Sequence, residues 1–391
     1  MDQLALTGAV VLTPFVMIED AVILIKGKRI KALGSRDKVE IPPDYRELSL
    51  DGYLIAPGLI DQHVHGGGGA EVMSGRANDL RDMARFHAVH GVTSFLATTI
   101  SGSNEQLISV AQAYRELQEY EYKGARCLGL HLEGPYLSYR ASGIHTSYHL
   151  QNADMEEIMA LNRISGNAVK MMTMAPEIPG VPELAKVLSE EGIICSIGHS
   201  DANYATALKA VDDGFSCVTH CFNGSRPFHH REPGVTGVAL TDDRLRIELI
   251  ADEHHLHPNT VMLAWKMKGP ERIILVSDAM APTGLAEGNY GTTIGELSLV
   301  GGKLTDSMGR LAGSATTLEV AVKNFWEYTD CELTDAFRAA TYNPARLLGI
   351  NKRKGSLYPG KDADLIVLTP QLDVVMTMVE GEIISGIIAL D

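Results

Sequence analysis

The stretch PGLIDQHVHGGGG (57–69) sets the reading of this chain: an apolar run ends in two histidines two residues apart, and four glycines follow. Residues i and i+2 of a strand project from the same face, so His63 and His65 can aim at one point at the strand's C-terminal end. A metal ion held between strand and loop would sit there, and glycine lets the following backbone pass close to such a centre without side chains in the way. On its own the pair fits a polar surface face equally well. The decision rests on whether further ligands converge on the same end.

Working outward, β-rich runs alternate with charged, Ala/Leu-rich helical stretches, the pattern of repeated βα units around a parallel sheet. Helices are predicted over 78–90, 104–121 and 182–191. Strands are predicted over 91–99, 126–132, 169–174, 193–197, 216–219, 246–251 and 272–276; with the HxH strand they make eight between residues 55 and 279. That count predicts an α/β fold, a (β/α)8 TIM-like barrel, which takes about 250 residues. The two ends of the chain read differently. Runs at 10–12, 21–25, 364–368 and 374–379, with tight turns at 26–29 and 380–382, predict a small β-sandwich domain formed by both termini. The division is residues 1–54 plus 350–391 for the β domain and 55–349 for the catalytic barrel.

Composition narrows the function. Hydrophobic residues at 45% and charged residues at 21% describe an ordinary globular enzyme. A net charge of −15 argues against a nucleic-acid-binding or anionic-membrane surface, though not against a small anionic substrate met by a local cluster of cations. The five cysteines include no CxxC pair and read as buried free thiols of a reducing compartment. The N-terminus has no basic n-region or long apolar h-region, and no stretch approaches ~20 uninterrupted apolar residues. The expected location is cytoplasmic.

The metal-capable residues fall in register. His63 and His65 end strand one, Glu133 strand three, His199 strand five, His220 strand six and Asp278 strand eight. That end of the barrel carries the active site in enzymes of this fold, and six such residues in register favour a metal centre over satisfied core or surface polar groups. Imidazole and carboxylate ligands suit Zn or Fe(II), with Mn or Co also fitting. Asp278 is placed to take a proton from an activated water and return it to a leaving group. No Gly-x-Ser-x-Gly elbow and no Cys/His pairing supports a covalent nucleophile. The residues alone therefore reach metal-assisted hydrolysis. A second cluster, THCFNGSRPFHHREPG (219–234) with DEHHLH (252–257), concentrates cations after strands six and seven. It reads either as a site for an anionic group such as phosphate or as a solvated loop with internal ion pairs.

These residues resemble the amidohydrolase superfamily and, within it, the N-acetylglucosamine-6-phosphate deacetylase family. The matching motifs are PGLIDQHVHGG (57–67), HLEGPYLS (131–138), GHS (198–200), THCFNG (219–224), HHREPG (229–234), SDAMAPTG (277–284) and LAGSATTL (311–318). NPARLLG (343–349) and KGSLYPGKDADLIVL (354–368) extend them. The resemblance implies one or two divalent metals per subunit, with Glu133, His199 and His220 holding the principal one and His63 and His65 available for a second that Glu133 can bridge, and it implies that Asp278 is the catalytic acid/base. It implies that His145 polarises the acetyl carbonyl, and that Asn223, Gly224, Ala312 and Gly313 line the sugar site. Arg231 and His255 would contact phosphate, with one such contact crossing a homodimer interface. The activity implied is hydrolysis of the acetamide of N-acetyl-D-glucosamine 6-phosphate.

The chain departs from the family pattern around the sugar, at YRASGIH (139–145), at Asn223-Gly224-Ser225 and at Ala251-Asp252-Glu253. The galacto epimer is therefore an alternative substrate. A non-phosphorylated N-acyl amino acid and a scaffold without catalysis are the remoter ones.

Overall fold

Eight parallel strands follow one another round one sheet in the computed structural model, which describes residues 3–386. They are β1 (Leu59–Val64), β2 (Val92–Thr99), β3 (Arg126–Glu133), β4 (Val169–Met174), β5 (Ile194–Ile197), β6 (Phe215–Val218), β7 (Arg246–Leu249) and β8 (Ile273–Leu275), paired in that order. Every residue of β1 and β2 is buried, because a barrel strand has the barrel core on one face and a helical layer on the other. The ring is fastened between its first and last strands just beyond β8. The Asp278 N–H donates to the His63 carbonyl at 3.0 Å and the His65 N–H to the Ala279 carbonyl at 2.9 Å.

The helices occupy their predicted places, at Ala77–Val89, Asn104–Gln118 and Val181–Glu190 among others. The second starts at a reciprocal cap: the Ser103 side chain accepts from the Gln106 N–H, and the Gln106 side chain accepts from the Ser103 N–H. A cap of this kind is worth about 1 kcal/mol.

The terminal strands form two sheets. One has four strands in the order Arg29–Ser35, Ala21–Lys26, Gln3–Thr7 and Arg46–Ser49. In the six-stranded sheet, Leu54–Pro57 lies between Val10–Leu12 and Leu365–Leu368, so both ends of the chain share it. Leu6, Ile23 and Ile25 of the first sheet pack with Ile55, Leu365 and Val367 of the second in one apolar core, which makes the pair a sandwich. The strand Leu54–Pro57 straddles the 54/55 division read from sequence and is a member of this sheet.

The insertion after β8 was not foreseen. Gly288–Thr292, Gly295–Val300 and Lys303–Asp306 form a three-stranded antiparallel sheet between β8 and the helix Leu318–Thr329. Its strands are short and largely exposed or half-buried, and two of the three contain glycine, so no long apolar run announces them. All five cysteines are buried free thiols, as read from sequence. Among the described residues no helix is long and apolar enough to cross a membrane.

Candidate active site

Three strand ends break regular geometry where the barrel mouth begins. His199, His220 and Asp278 all have positive φ, at 48°, 29° and 51°. Non-glycine residues in this region cost of order 1–3 kcal/mol each and persist only where the surroundings hold them. Here they deliver side chains to a single centre, the carboxylate of Glu133 at the end of β3. Glu133 Oε1 lies 3.2 Å from His199 Nε2, 3.2 Å from His220 Nε2 and 3.5 Å from His63 Nε2. Oε2 lies 3.4 Å from His65 Nε2 and 3.3 Å from His145 Nε2. Asp278 Oδ1 stands 3.1 Å from His65 Nε2 and 3.4 Å from His63 Nε2.

The outer nitrogens of the five imidazoles divide them by role. His65, His199 and His220 each point Nδ1 at a backbone carbonyl, of Thr98 at 3.1 Å, Ala141 at 2.9 Å and Asn223 at 3.2 Å respectively. His63 Nδ1 faces Glu248 Oε2 at 3.0 Å. A carbonyl or carboxylate can only accept, so Nδ1 carries a proton in these four rings, and Nε2 is the atom turned toward the Glu133 and Asp278 carboxylates, where it either donates a proton or gives its lone pair to a cation that displaces that proton. His145 is reversed. Its Nδ1 accepts from the Ser101 N–H at 3.2 Å and lies 2.9 Å from Ser101 Oγ, which leaves Nε2 as an inward-pointing donor. His145, Glu133 and His199 offer atoms within 4.8 Å of one another, as do His63, His65 and Glu133. The tautomer separates the two groups: a ring with a proton on Nε2 donates a hydrogen bond there and cannot ligate through that atom.

The charges tell the same story. Burial raises the pKa of Glu133, but His63, His145 and His199 outweigh it and hold the carboxyl well below its usual range. Asp278 is likewise lowered against its burial, chiefly by His63 and His65. Burial opposes protonation of His63, yet Glu133, Asp278 and Glu248 lift it well above its ordinary value. His65 rises to about 9 against the same burial through its hydrogen bonds to Asp278 and Glu133. Burial, reinforced by His199, pulls His145 down to about 4 and keeps it neutral. The countercharge of these buried carboxylates thus comes from imidazoles, and among the described residues no Lys or Arg lines the cleft. The donor set fits a divalent cation: four inward imidazole nitrogens and a carboxylate whose charge only protons otherwise offset.

Of the residues assigned to substrate, Asn223, Gly224, His255 and Gly313 line the cleft with His65, Glu133, His145, His199, His220 and Asp278. Asn223 Nδ2 is buried without a protein partner among the described residues, so its donor is free for a ligand. His255 is held by Asp252, Nδ1 to Oδ2 at 2.8 Å. The segment of Ala312 and Gly313 runs beside that of Asp278, with the Ser314 N–H donating to the Asp278 carbonyl at 2.8 Å. At Gly313, where φ is 57°, a Cβ would come within 2.8 Å of that carbonyl and 2.6 Å of Met280 Cγ, so only glycine permits the approach. Ala312 is fully buried beside the cleft rather than lining it. Arg231 is exposed, its guanidinium against His230 at 3.0 Å, and is not among the residues lining this cleft.

The reading of the glycine run needs correction. The Gly66 and Gly69 N–H groups bond the carbonyls of Ala279 and Ala281, and Gly67 and Gly68 pack against Phe86. The run fits the seam between β1 and the segment after β8 rather than bringing backbone close to the ligands. Sequence reasoning also passed over Glu248 and Ser101, which fix His63 and His145. A charged residue inside the apolar run RIELIA (246–251) was the available signal for Glu248.

Residues 54–384 match the amidohydrolase family, and the chain belongs to it. Members of this family are generally divalent-metal dependent. Within it, the chain is 38% identical to the N-acetylglucosamine-6-phosphate deacetylase of Bacillus subtilis over 84% of each chain. It is 34% identical to the N-acetylgalactosamine-6-phosphate deacetylase of Escherichia coli O157:H7, over 86% of this chain and 89% of the other. Among solved structures, that of an N-acetyl-D-glucosamine-6-phosphate deacetylase mutant from Mycobacterium smegmatis, in complex with N-acetyl-D-glucosamine-6-phosphate, superposes with a TM-score of 0.92. It is 29% identical, over 98% of this chain and all of that one.

Proposed function

We propose that this chain is a deacetylase that hydrolyses the acetamide of N-acetyl-D-glucosamine 6-phosphate to D-glucosamine 6-phosphate and acetate. The observation that carries the proposal is the convergence on Glu133 of four imidazoles anchored through Nδ1 with Nε2 turned inward, with Asp278 and the oppositely anchored His145 beside it. Glu133, His199 and His220 would hold the principal metal. His63 and His65, with Glu133 between the two sets, would hold a second. Zn or Fe(II) suits this donor set best, with Mn or Co also compatible. When bound, such a cation supplies Lewis-acid activation of water and of the acetyl carbonyl.

The chain's own residues do the rest. Asp278 takes a proton from the attacking water as the new C–O bond forms, then delivers it to the amide nitrogen as the C–N bond breaks. His145 Nε2–H donates to the carbonyl oxygen as negative charge develops there, and its depressed pKa keeps that donor neutral. Asn223 Nδ2 and the backbone around Gly224 and Gly313 receive the sugar, and His255 takes the phosphate side. Arg231 does not line the cleft of its own chain, which supports a homodimer in which a second copy brings Arg231 to the phosphate. The residue division 1–54 plus 350–391 and 55–349, and a cytoplasmic location, belong to the same proposal.

Steady-state kinetics on both 6-phosphorylated N-acetylhexosamines tests it. The expected result is acetate release from both, with kcat/KM for the gluco epimer higher by roughly tenfold or more, since a site that hydrogen-bonds a hydroxyl rejects its displacement. A higher value for the galacto epimer would hand the reaction to that substrate. Acetate released from neither would overturn the proposal.

A further inference from the structure

We infer that Glu248 is the positioning residue that makes the His63/His65 arm a working second cation site. The inference rests on the metal centre proposed above and concerns how its two halves are held. Glu248 lies within β7 with no solvent exposure, and its carboxylate reaches across the barrel to the neighbours of that arm. Its Oε2 accepts from His63 Nδ1–H at 3.0 Å and from the His220 N–H at 3.3 Å. Its Oε1 accepts from Gln62 Nε2–H at 2.7 Å. Three donors from β1 and the end of β6 therefore satisfy both oxygens.

The other inward rings are oriented by neutral carbonyls, of Thr98, Ala141 and Asn223. A carbonyl would have fixed the His63 tautomer equally well, and a fully buried carboxylate is far costlier to keep. What a carboxylate adds is charge: it makes the imidazole it faces a stronger donor and offsets positive charge bound beyond it. The second site, through His63, depends on that charge. The first site meets Glu248 only through the His220 backbone N–H at 3.3 Å; its rings, His199 and His220, lean on carbonyls and its carboxylate is Glu133.

Stepwise binding of Co(II) to the metal-stripped full-length protein, followed by visible absorption and checked by elemental analysis after dialysis, tests this without reference to turnover. The wild type is expected to take two ions. Glu248→Gln offers one acceptor oxygen to three donors; the second binding step should weaken roughly 10- to 100-fold, while the first stays within about threefold. Glu248→Asp keeps the charge at a shorter reach and should fall between. A wild type that holds one ion, a Glu248→Gln protein with both steps intact, or equal weakening of both steps would each overturn the inference. If Glu248→Gln does not fold, the wild-type stoichiometry and the Glu248→Asp titration decide it. Loss of the second ion alone, in a protein that releases acetate from neither hexosamine phosphate, would sink the deacetylase proposal and leave this one standing.

Discussion

Two buried clusters of carboxylates lie in this molecule, and they are neutralised in opposite ways. Near the C-terminal sheet, Lys354 Nζ sits 2.5 Å from Asp364 and 3.5 Å from Asp362, with Arg29 and Arg353 also on Asp362 at 2.6 and 2.9 Å. These cations are fixed to the chain and cannot leave. At the barrel mouth, Glu133, Asp278 and Glu248 face imidazoles, whose positive charge is a proton that can be exchanged. The carboxylates are buried alike in the two places. The kind of countercharge separates a fastening from a centre that can take up a metal.

The comparison breaks most sharply at Asp278. Asp278→Asn should keep the fold and the metal content and lower kcat by about 10³-fold or more, the larger part of a general acid/base contribution. Near-normal kcat would remove Asp278 from proton transfer. The fastening should respond in the other currency. Lys354→Met leaves the buried Asp364 carboxylate without its cation and should lower the unfolding free energy by about 3–5 kcal/mol in urea titrations, with kcat per folded molecule unchanged. A loss of activity without a loss of stability would place Lys354 in the wrong class.

A smaller effect concerns pH. In the chelated protein the pKa values of His63 and His65 are raised above their unfolded values, so the stability they confer is present below about 6.5 and lost as pH rises toward about 9 for His65. A bound metal replaces those protons, and its stabilisation does not fade over that range. The gap in unfolding free energy between metal-loaded and chelated protein should therefore widen from pH 6.5 to 9, by roughly 1.4 kcal/mol per pH unit for each proton displaced. Denaturant titrations of both forms across this range measure the gap; a gap that narrows with rising pH would mean that metal and protons do not share the site.

Most of the barrel is legible in the sequence because each β-rich run is bounded by a helical stretch of different period. The predicted strand 169–174 coincides with Val169–Met174, and the others shift by only a few residues at their ends. The predicted strand 272–276 shortens to Ile273–Leu275, just before the chain turns into the left-handed region at Asp278. Chemistry gathered at strand ends is legible for the same reason, since periodicity places His63, Glu133, His199 and His220 at one rim. What sequence spacing cannot carry is a partner reached across the barrel. Glu248 is 185 residues from His63, and only the closed ring brings the two together. The tautomer of His145 was equally hidden, because a backbone N–H fixes it and no side-chain pattern records backbone donors. The three-stranded insertion at 288–306 buries only Leu297, Leu299 and Leu304, too few apolar positions to mark its strands in the sequence.

The hydrogen bond from the Asp278 N–H to the His63 carbonyl places the proposed proton carrier on the last stitch of the ring. Topology and reactivity are therefore tied at one residue. A chain that has laid down seven strands but not met its first one again has neither a closed sheet nor the Asp278 carboxylate beside His65. An unfinished barrel of this protein would be a silent one, and reactivity would arrive only with completion.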